Sequence, residues 1–215
     1  MIRGLVVVLA LSAASSGIEA SAQDVPERTV GLAQRSGRLV TSFDVTGVVD
    51  AAARRRLRSG LATQIVVRAY LYLDGGREAK GLGAQTCRVA YDLWEDVFRV
   101  VVTRTGSEKR LSLRTEREVV AACARVGELV VARVADLDDR RAHRLAVLAE
   151  LNPIDRRTLA AIRRWLAHPG GQTASERGGL FGSFASVFVN RRIGNAERSV
   201  RFRSQRFRVA RQVDP

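Results

Sequence analysis

The chain has 215 residues, 36 of them basic and 22 acidic, with a formal net charge of +14. That length suits one domain with a full core, and the two cysteines and two histidines stand at no spacing that suits zinc. Basicity by itself names no polyanion, because Lys80 and Lys109 are the only lysines, so 36 − 2 = 34 of the bases are Arg, as a GC-rich genome gives.

Met1–Ala22 reads as an export signal. Arg3 precedes the apolar run Leu5–Ala14, and Ala20-Ser21-Ala22 offers small residues for cleavage near Ala22-Gln23. The run is shorter than the roughly 20 apolar residues of a resident membrane span. No cysteine stands at the cleavage point for a lipid anchor, and no later run is long enough to cross a bilayer. The expected mature chain is therefore exported, with no transmembrane helix, and keeps 215 − 22 = 193 residues. Export disfavours nucleic acid as a partner.

Residues 23–38 are polar and without a period, and predict a flexible leader. A single domain is expected over 39–211. Leu39–Val48 alternates and predicts a strand. Asp50–Arg58 predicts a short helix stopped by Gly60, with Arg54, Arg55, Arg56 and Arg58 on its solvated side. Leu61–Leu73 alternates strictly. Leu61, Thr63, Ile65, Val67, Ala69, Leu71 and Leu73 fall on a dry side, and Gln64, Val66, Arg68, Tyr70 and Tyr72 on a wet one. Asp74-Gly75-Gly76 reverses the chain, and residues 76–83 read as hairpin loop. Gln85–Val102 is long for one strand, so Leu93–Asp96 is expected to bend, bulge or split it. Arg110–Arg114 adds a third run to an antiparallel meander.

Glu116–Val134 carries Val119, Ala122, Cys123, Val126 and Val130 at helical spacing behind a Thr115/Glu118 capping box, and predicts the clearest helix. Arg141–Leu151 returns to period two, with His143, Leu145, Val147, Ala149 and Leu151 on one side. Asp155–Ala167 predicts a further helix, residues 170–179 a mobile Gly-rich loop, and Leu180–Asn190 an apolar helix. Val200–Val209 predicts a last strand with a register shift near Ser204. The fold class is thus α+β: a mainly antiparallel sheet, sandwich-like in one version, packed against two or three helices.

The order of short motifs resembles a bacterial family. Leu57-Arg58-Ser59-Gly60-Leu61 steps into the alternating strand. Val89-Ala90-Tyr91-Asp92 is followed by Val97-Phe98-Arg99-Val100. A later strand ends Leu151-Asn152-Pro153, and Ser204-Gln205-Arg206-Phe207 closes the chain. Over about Leu39–Val209 this order is similar to the domain-of-unknown-function family numbered 4390. The resemblance implies an exported, β-rich bacterial protein with no assigned activity, sometimes encoded near sensor kinases. It supplies no catalytic residues.

Candidate sites are few. Cys87 and Cys123 fit a strand-to-helix disulfide in an oxidising compartment, and equally two buried thiols. Tyr91, Asp92 and Trp94 suit a recognition face or sheet packing. Phe181, Phe184 and Phe188 suit a membrane or partner helix, or a core one. Arg201, Arg203, Arg206 and Arg208 suit an anionic surface, or a solvated edge. The glycines before Gly83 lack the Gly-Lys-Ser/Thr ending of a phosphate loop. Asp136, Asp138 and Asp139 lack a calcium-loop pattern, and Ser183 is in no hydrolase elbow. No cofactor is expected. The reading this favours is a non-enzymatic binding or structural module of the cell envelope, acting through a protein partner or an anionic surface. An enzyme would need a deep cleft lined by several of Tyr91, Asp92, Glu95, Asp96 and His143. A periplasmic partner of a sensor kinase follows from the family resemblance alone.

Overall fold

The computed structural model describes residues 25–153 and 196–210. Ten strands form two sheets. The strands are β1 (Glu27–Arg28), β2 (Gly31–Arg35), β3 (Arg38–Asp44), β4 (Thr63–Leu73), β5 (Ala79–Asp92), β6 (Val97–Arg104), β7 (Ser107–Leu113), β8 (Arg125–Arg133), β9 (His143–Leu151) and β10 (Arg198–Ser204). The larger sheet has the order β1-β10-β9-β4-β5-β6-β7 and the smaller β2-β3-β8. Every pairing is antiparallel except β1 with β10. Two helices, α1 (Ala51–Leu57) and α2 (Glu116–Ala124), join the smaller sheet over one face of the larger. This is the expected α+β fold built on a mainly antiparallel sheet.

The core follows from the alternation of β4 and β9. Thr63, Ile65, Val67, Ala69 and Leu71 are buried on one face of β4. His143, Leu145, Val147, Ala149 and Leu151 are buried on the same face of β9. The register places Ile65 opposite Leu151 and Val67 opposite Ala149, so the two rows form one apolar surface. Burying each large aliphatic side chain there contributes roughly 1.5–3 kcal/mol. Asn152 extends the ladder. Its N–H donates to the Gln64 carbonyl and its side-chain oxygen accepts from the Gln64 N–H, in a left-handed conformation (φ 45°) that asparagine tolerates.

The long run Gln85–Val102 divides in two. Leu93–Asp96 is a turn, and Val89 pairs with Val100 across the hairpin that it closes. The loop expected over 76–83 is shorter, because β5 already begins at Ala79. Gly81 and Gly83 are needed inside this strand. A Cβ at Gly81 would sit 2.3 Å from the Val131 carbonyl oxygen, and one at Gly83 would sit 2.6 Å from that of Val130. The two sheets touch backbone to backbone where β5 meets β8, a contact that only glycine permits.

The helix expected over Glu116–Val134 ends at Ala124, and its second half is β8. The capping box at Thr115 and Glu118 forms as expected. Beyond Ala124, Gly127 and the β-branched Val126, Val130 and Val131 favour extended chain. Two irregularities in the β3–β8 register, with Glu128 at φ 48°, break the strand alternation and leave a spacing that resembles a helix. Val130, placed on the buried stripe by that reading, is 41% exposed.

The expected leader is also ordered from its fifth residue. Glu27 and Arg28 pair with Arg203 and Ser204, and β2 pairs along β3. The side of β4 expected to be wet is dry at its centre, where Val66, Arg68, Thr86 and Glu150 are all buried. At the register shift expected near Ser204, the Ser204 hydroxyl takes the place of a ladder carbonyl. It accepts from the Leu145 N–H at 2.9 Å and donates to the Gln205 carbonyl at 2.7 Å. The predicted helix 155–167, the loop 170–179 and the apolar helix with Phe181, Phe184 and Phe188 lie outside the described residues.

Candidate recognition surface

At the end of the larger sheet where β4 begins and β5 ends, three of the exposed large apolar side chains stand together by chain position. Leu61 is 70% exposed, Leu93 67% and Trp94 98%. Leu93 and Trp94 occupy the β5–β6 turn, and Leu61 follows α1 through Gly60. The Leu93 side chain lies against Gly60, 3.6 Å from where a Cβ would stand, which ties the turn to the end of α1.

The turn is braced by its own polar groups. The Asp92 carboxylate accepts from the backbone N–H groups of Trp94 (3.1 Å) and Glu95 (3.2 Å), an Asx arrangement that fixes the chain just where the indole is presented. Asp96 sits at φ 53°, and its carboxylate accepts the Tyr91 hydroxyl proton. That hydrogen bond, together with partial burial and the Asp96 charge, raises the Tyr91 phenol above its ordinary pKa. Tyr91 in turn packs on the core residue Phe98, with centroids 4.8 Å apart.

Arg58 joins α1 to this hairpin. Its Nε donates to Glu116 at 2.7 Å, and a terminal nitrogen reaches the Tyr91 oxygen at 3.4 Å. The guanidinium lies 5.6 Å from the Tyr91 ring centre and 5.5 Å from that of Phe98. The hydrogen bond to Glu116 raises the Arg58 pKa further, so the cation is permanent. On the other side Arg99 pairs with Glu95 and Asp92 and donates to Ser112. The charges around the turn are therefore spent on one another, and Leu61, Leu93 and Trp94 form an exposed apolar crown at the tip.

Of the residues singled out in the sequence, Tyr91, Asp92 and Trp94 come together here, with Tyr91 and Asp92 bracing the turn and Trp94 exposed at its tip. Leu61, Leu93 and Arg58 were missed. Leu61 had been counted as the first dry residue of a strand that starts only at Thr63, and Arg58 as a solvated charge. The readable signal was Asp92 two residues before an apolar Trp in a turn. His143 lies at the opposite end of β4, across from Leu73, apart from Tyr91, Asp92, Glu95 and Asp96, which share the β5–β6 hairpin tip.

Cys87 on β5 and Cys123 on α2 are joined in a disulfide, with Cα atoms 5.4 Å apart. Both are fully buried, so the bridge fastens α2 to the larger sheet and is structural. Arg201 and Arg203 point outward from β10, flanking the buried Phe202. Arg206 is held by Asp74 at 2.8 Å, and Arg208 is exposed beyond it. The four arginines are thus split between the outward face of β10 and the segment that follows. Among the described residues no group of three His, Cys, Asp or Glu side chains is placed to hold a metal ion, and no helix is long and apolar enough to cross a membrane.

No family model, curated protein or solved structure matches this chain. The recognition surface therefore rests on the geometry of the crown alone.

Proposed function

We propose that this chain is an exported, non-enzymatic binding module of the bacterial cell envelope, and that it engages a protein partner through the Leu61, Leu93 and Trp94 crown. The observation that carries this reading is Trp94, 98% exposed at the tip of a braced hairpin. Exposed indoles are expensive in water, and Trp, Tyr and Arg dominate the energetic centres of protein interfaces. A side chain already held on a rigid turn loses little further freedom on binding. Export rests on the pattern of Met1–Ala22. The envelope setting rests on the resemblance to family 4390, which also makes a sensor kinase a candidate partner.

A second reading has its own observation. Arg201 and Arg203 are exposed together on the outward face of β10, and suit an anionic envelope surface. An enzymatic role has less support, because the acidic residues at the tip are committed to bracing it.

The test is photocrosslinking in cells with a benzophenone amino acid at position 94, against the same probe at position 110 on the edge strand β7. The proposal expects a discrete adduct from position 94 that is lost when Leu93→Asp is added. Equal labelling from both positions, or none from position 94, would overturn it.

A further inference from the structure

The segment after β10, Gln205–Ala210, is a strap that ties the two sheets together. The Gln205 side chain accepts from the Val30 N–H and donates to the Val30 carbonyl, both at 2.9 Å. Arg206 pairs with Asp74 in the β4–β5 turn. Phe207 exchanges both backbone hydrogen bonds with His143, at 2.7 and 3.0 Å. Val209 is buried, and the Ala210 carbonyl accepts from the Gln34 side chain on β2 at 2.7 Å. The strap thus touches β2, β9 and the β4–β5 turn within six residues.

His143 lies beneath it. The side chain is wholly buried, and neither ring nitrogen makes a hydrogen bond. Its ring stacks on Phe207, with centroids 6.0 Å apart and planes 29° apart. A neutral imidazole leaves one donor and one acceptor unmet there. An imidazolium would leave two donors and a full charge unmet, which a buried site does not tolerate. Asp138, Asp139, Arg140 and Arg141 lie in the loop before β9; burial holds the ring neutral where it stands, against the Arg141 backbone and Asp138, which favour the charged form. The Arg141 guanidinium opposes it. The other neighbouring charges are engaged: Arg144 and Arg206 with Asp74, Arg144 with Glu27, and Arg133 with Asp136. Arg208 is exposed on the strap.

We infer that His143 is an acid-sensitive latch: when it takes a proton it leaves the site under Phe207 and releases the strap Gln205–Ala210 from both sheets. The direction of titration agrees. Burial lowers the pKa of His143 below its ordinary 6.5. The folded form therefore holds the ring neutral while the unfolded or opened form accepts a proton below pH 6.5. The strap is closed above that value and loosens as pH falls from 6.5 towards the lowered one. Release exposes the Phe207 ring, the Val209 side chain and the edge of β2, all of which can receive a partner.

The test is hydrogen–deuterium exchange of the full mature chain at pH 7.5 and 5.0, corrected for the intrinsic pH dependence of exchange. The expected result is a rise of at least about ten-fold in the opening of the segment Gln205–Ala210 at pH 5.0, with β4 unchanged. His143→Phe, which stacks and does not titrate, keeps the strap closed at both values, and His143→Leu serves the same purpose if the Phe variant does not fold. His168→Asn retains the wild-type response, His168 being the only other histidine. A strap equally protected at both values in the wild type, or one that opens in the His143 variants as in the wild type, overturns the inference.

Discussion

Arg68 on β4 and Glu150 on β9 form an ion pair in which both side chains are only 3% exposed. They stand on the face of the larger sheet that is turned away from the smaller one. In the register Val66 is opposite Glu150 and Arg68 is opposite Leu148, so the pair spans the ladder diagonally. Breaking a buried ion pair by removing one partner costs about 3–5 kcal/mol. Glu150→Ala is therefore expected to lower the thermal midpoint by about 10 °C in a domain of this size. The double replacement Arg68→Met with Glu150→Leu is expected to recover most of that loss, and a double-mutant cycle measured by thermal melting checks both.

Gly81→Ala and Gly83→Ala are each expected to destabilise by about 3 kcal/mol, read from denaturant midpoints, because the added methyl meets β8 backbone and not a movable side-chain end. Gly127→Ala is the control. A Cβ there meets nothing within 4 Å, so its midpoint should stay within about 0.5 kcal/mol of the parent.

The Cys87–Cys123 bridge closes a separation of 36 residues. In the chain-entropy account that stabilises by about 4 kcal/mol. Replacing both cysteines with Ala should lower the unfolding free energy by about that amount. Alkylation of the denatured, unreduced protein should label neither position, and labelling of both would show that the bridge does not form.

Acid should loosen the starts of α1 and α2. The Thr115 side chain and the backbone N–H groups of Thr115 and Arg114 hold Glu118 below its ordinary pKa of 4.5, and the Ala53 N–H does the same for Asp50 below 3.8. Both are depressed carboxylates. Their contribution is complete above the ordinary values and disappears as pH falls through the lowered ones. Thr115→Ala should cost about 1 kcal/mol at neutral pH. It should also flatten the dependence of stability on pH below 4.5, as measured by denaturant titration at a series of pH values.

Period-two alternation made β4 and β9 legible, because one face of each is continuous core. The hairpin at Leu93–Asp96 was legible as a break, but its residues suited sheet packing as well as a recognition face. Nothing in the residues says that Trp94 stays out of the sheet, since β-rich packing uses tryptophan just as readily. The switch from α2 to β8 was hidden by a coincidence of spacing: bulges in a strand paired with β3 restored the 3–4 residue interval of a helix. Gly81 and Gly83 looked like turn residues because the partner backbone that requires them comes from β8, some fifty residues later. The strand character of residues 27–35 was invisible for a similar reason, as its partners β10 and β3 supply the order.

The parallel pairing of Glu27 with Arg203 and the reciprocal bonds between Val30 and Gln205 fasten the earliest described strand to the last. A nascent polypeptide therefore cannot finish its larger sheet until residues 198–204 have been made. Until then the sheet stays open and threadable, and a product cut short before Arg198 has an unfilled place between β1 and β9.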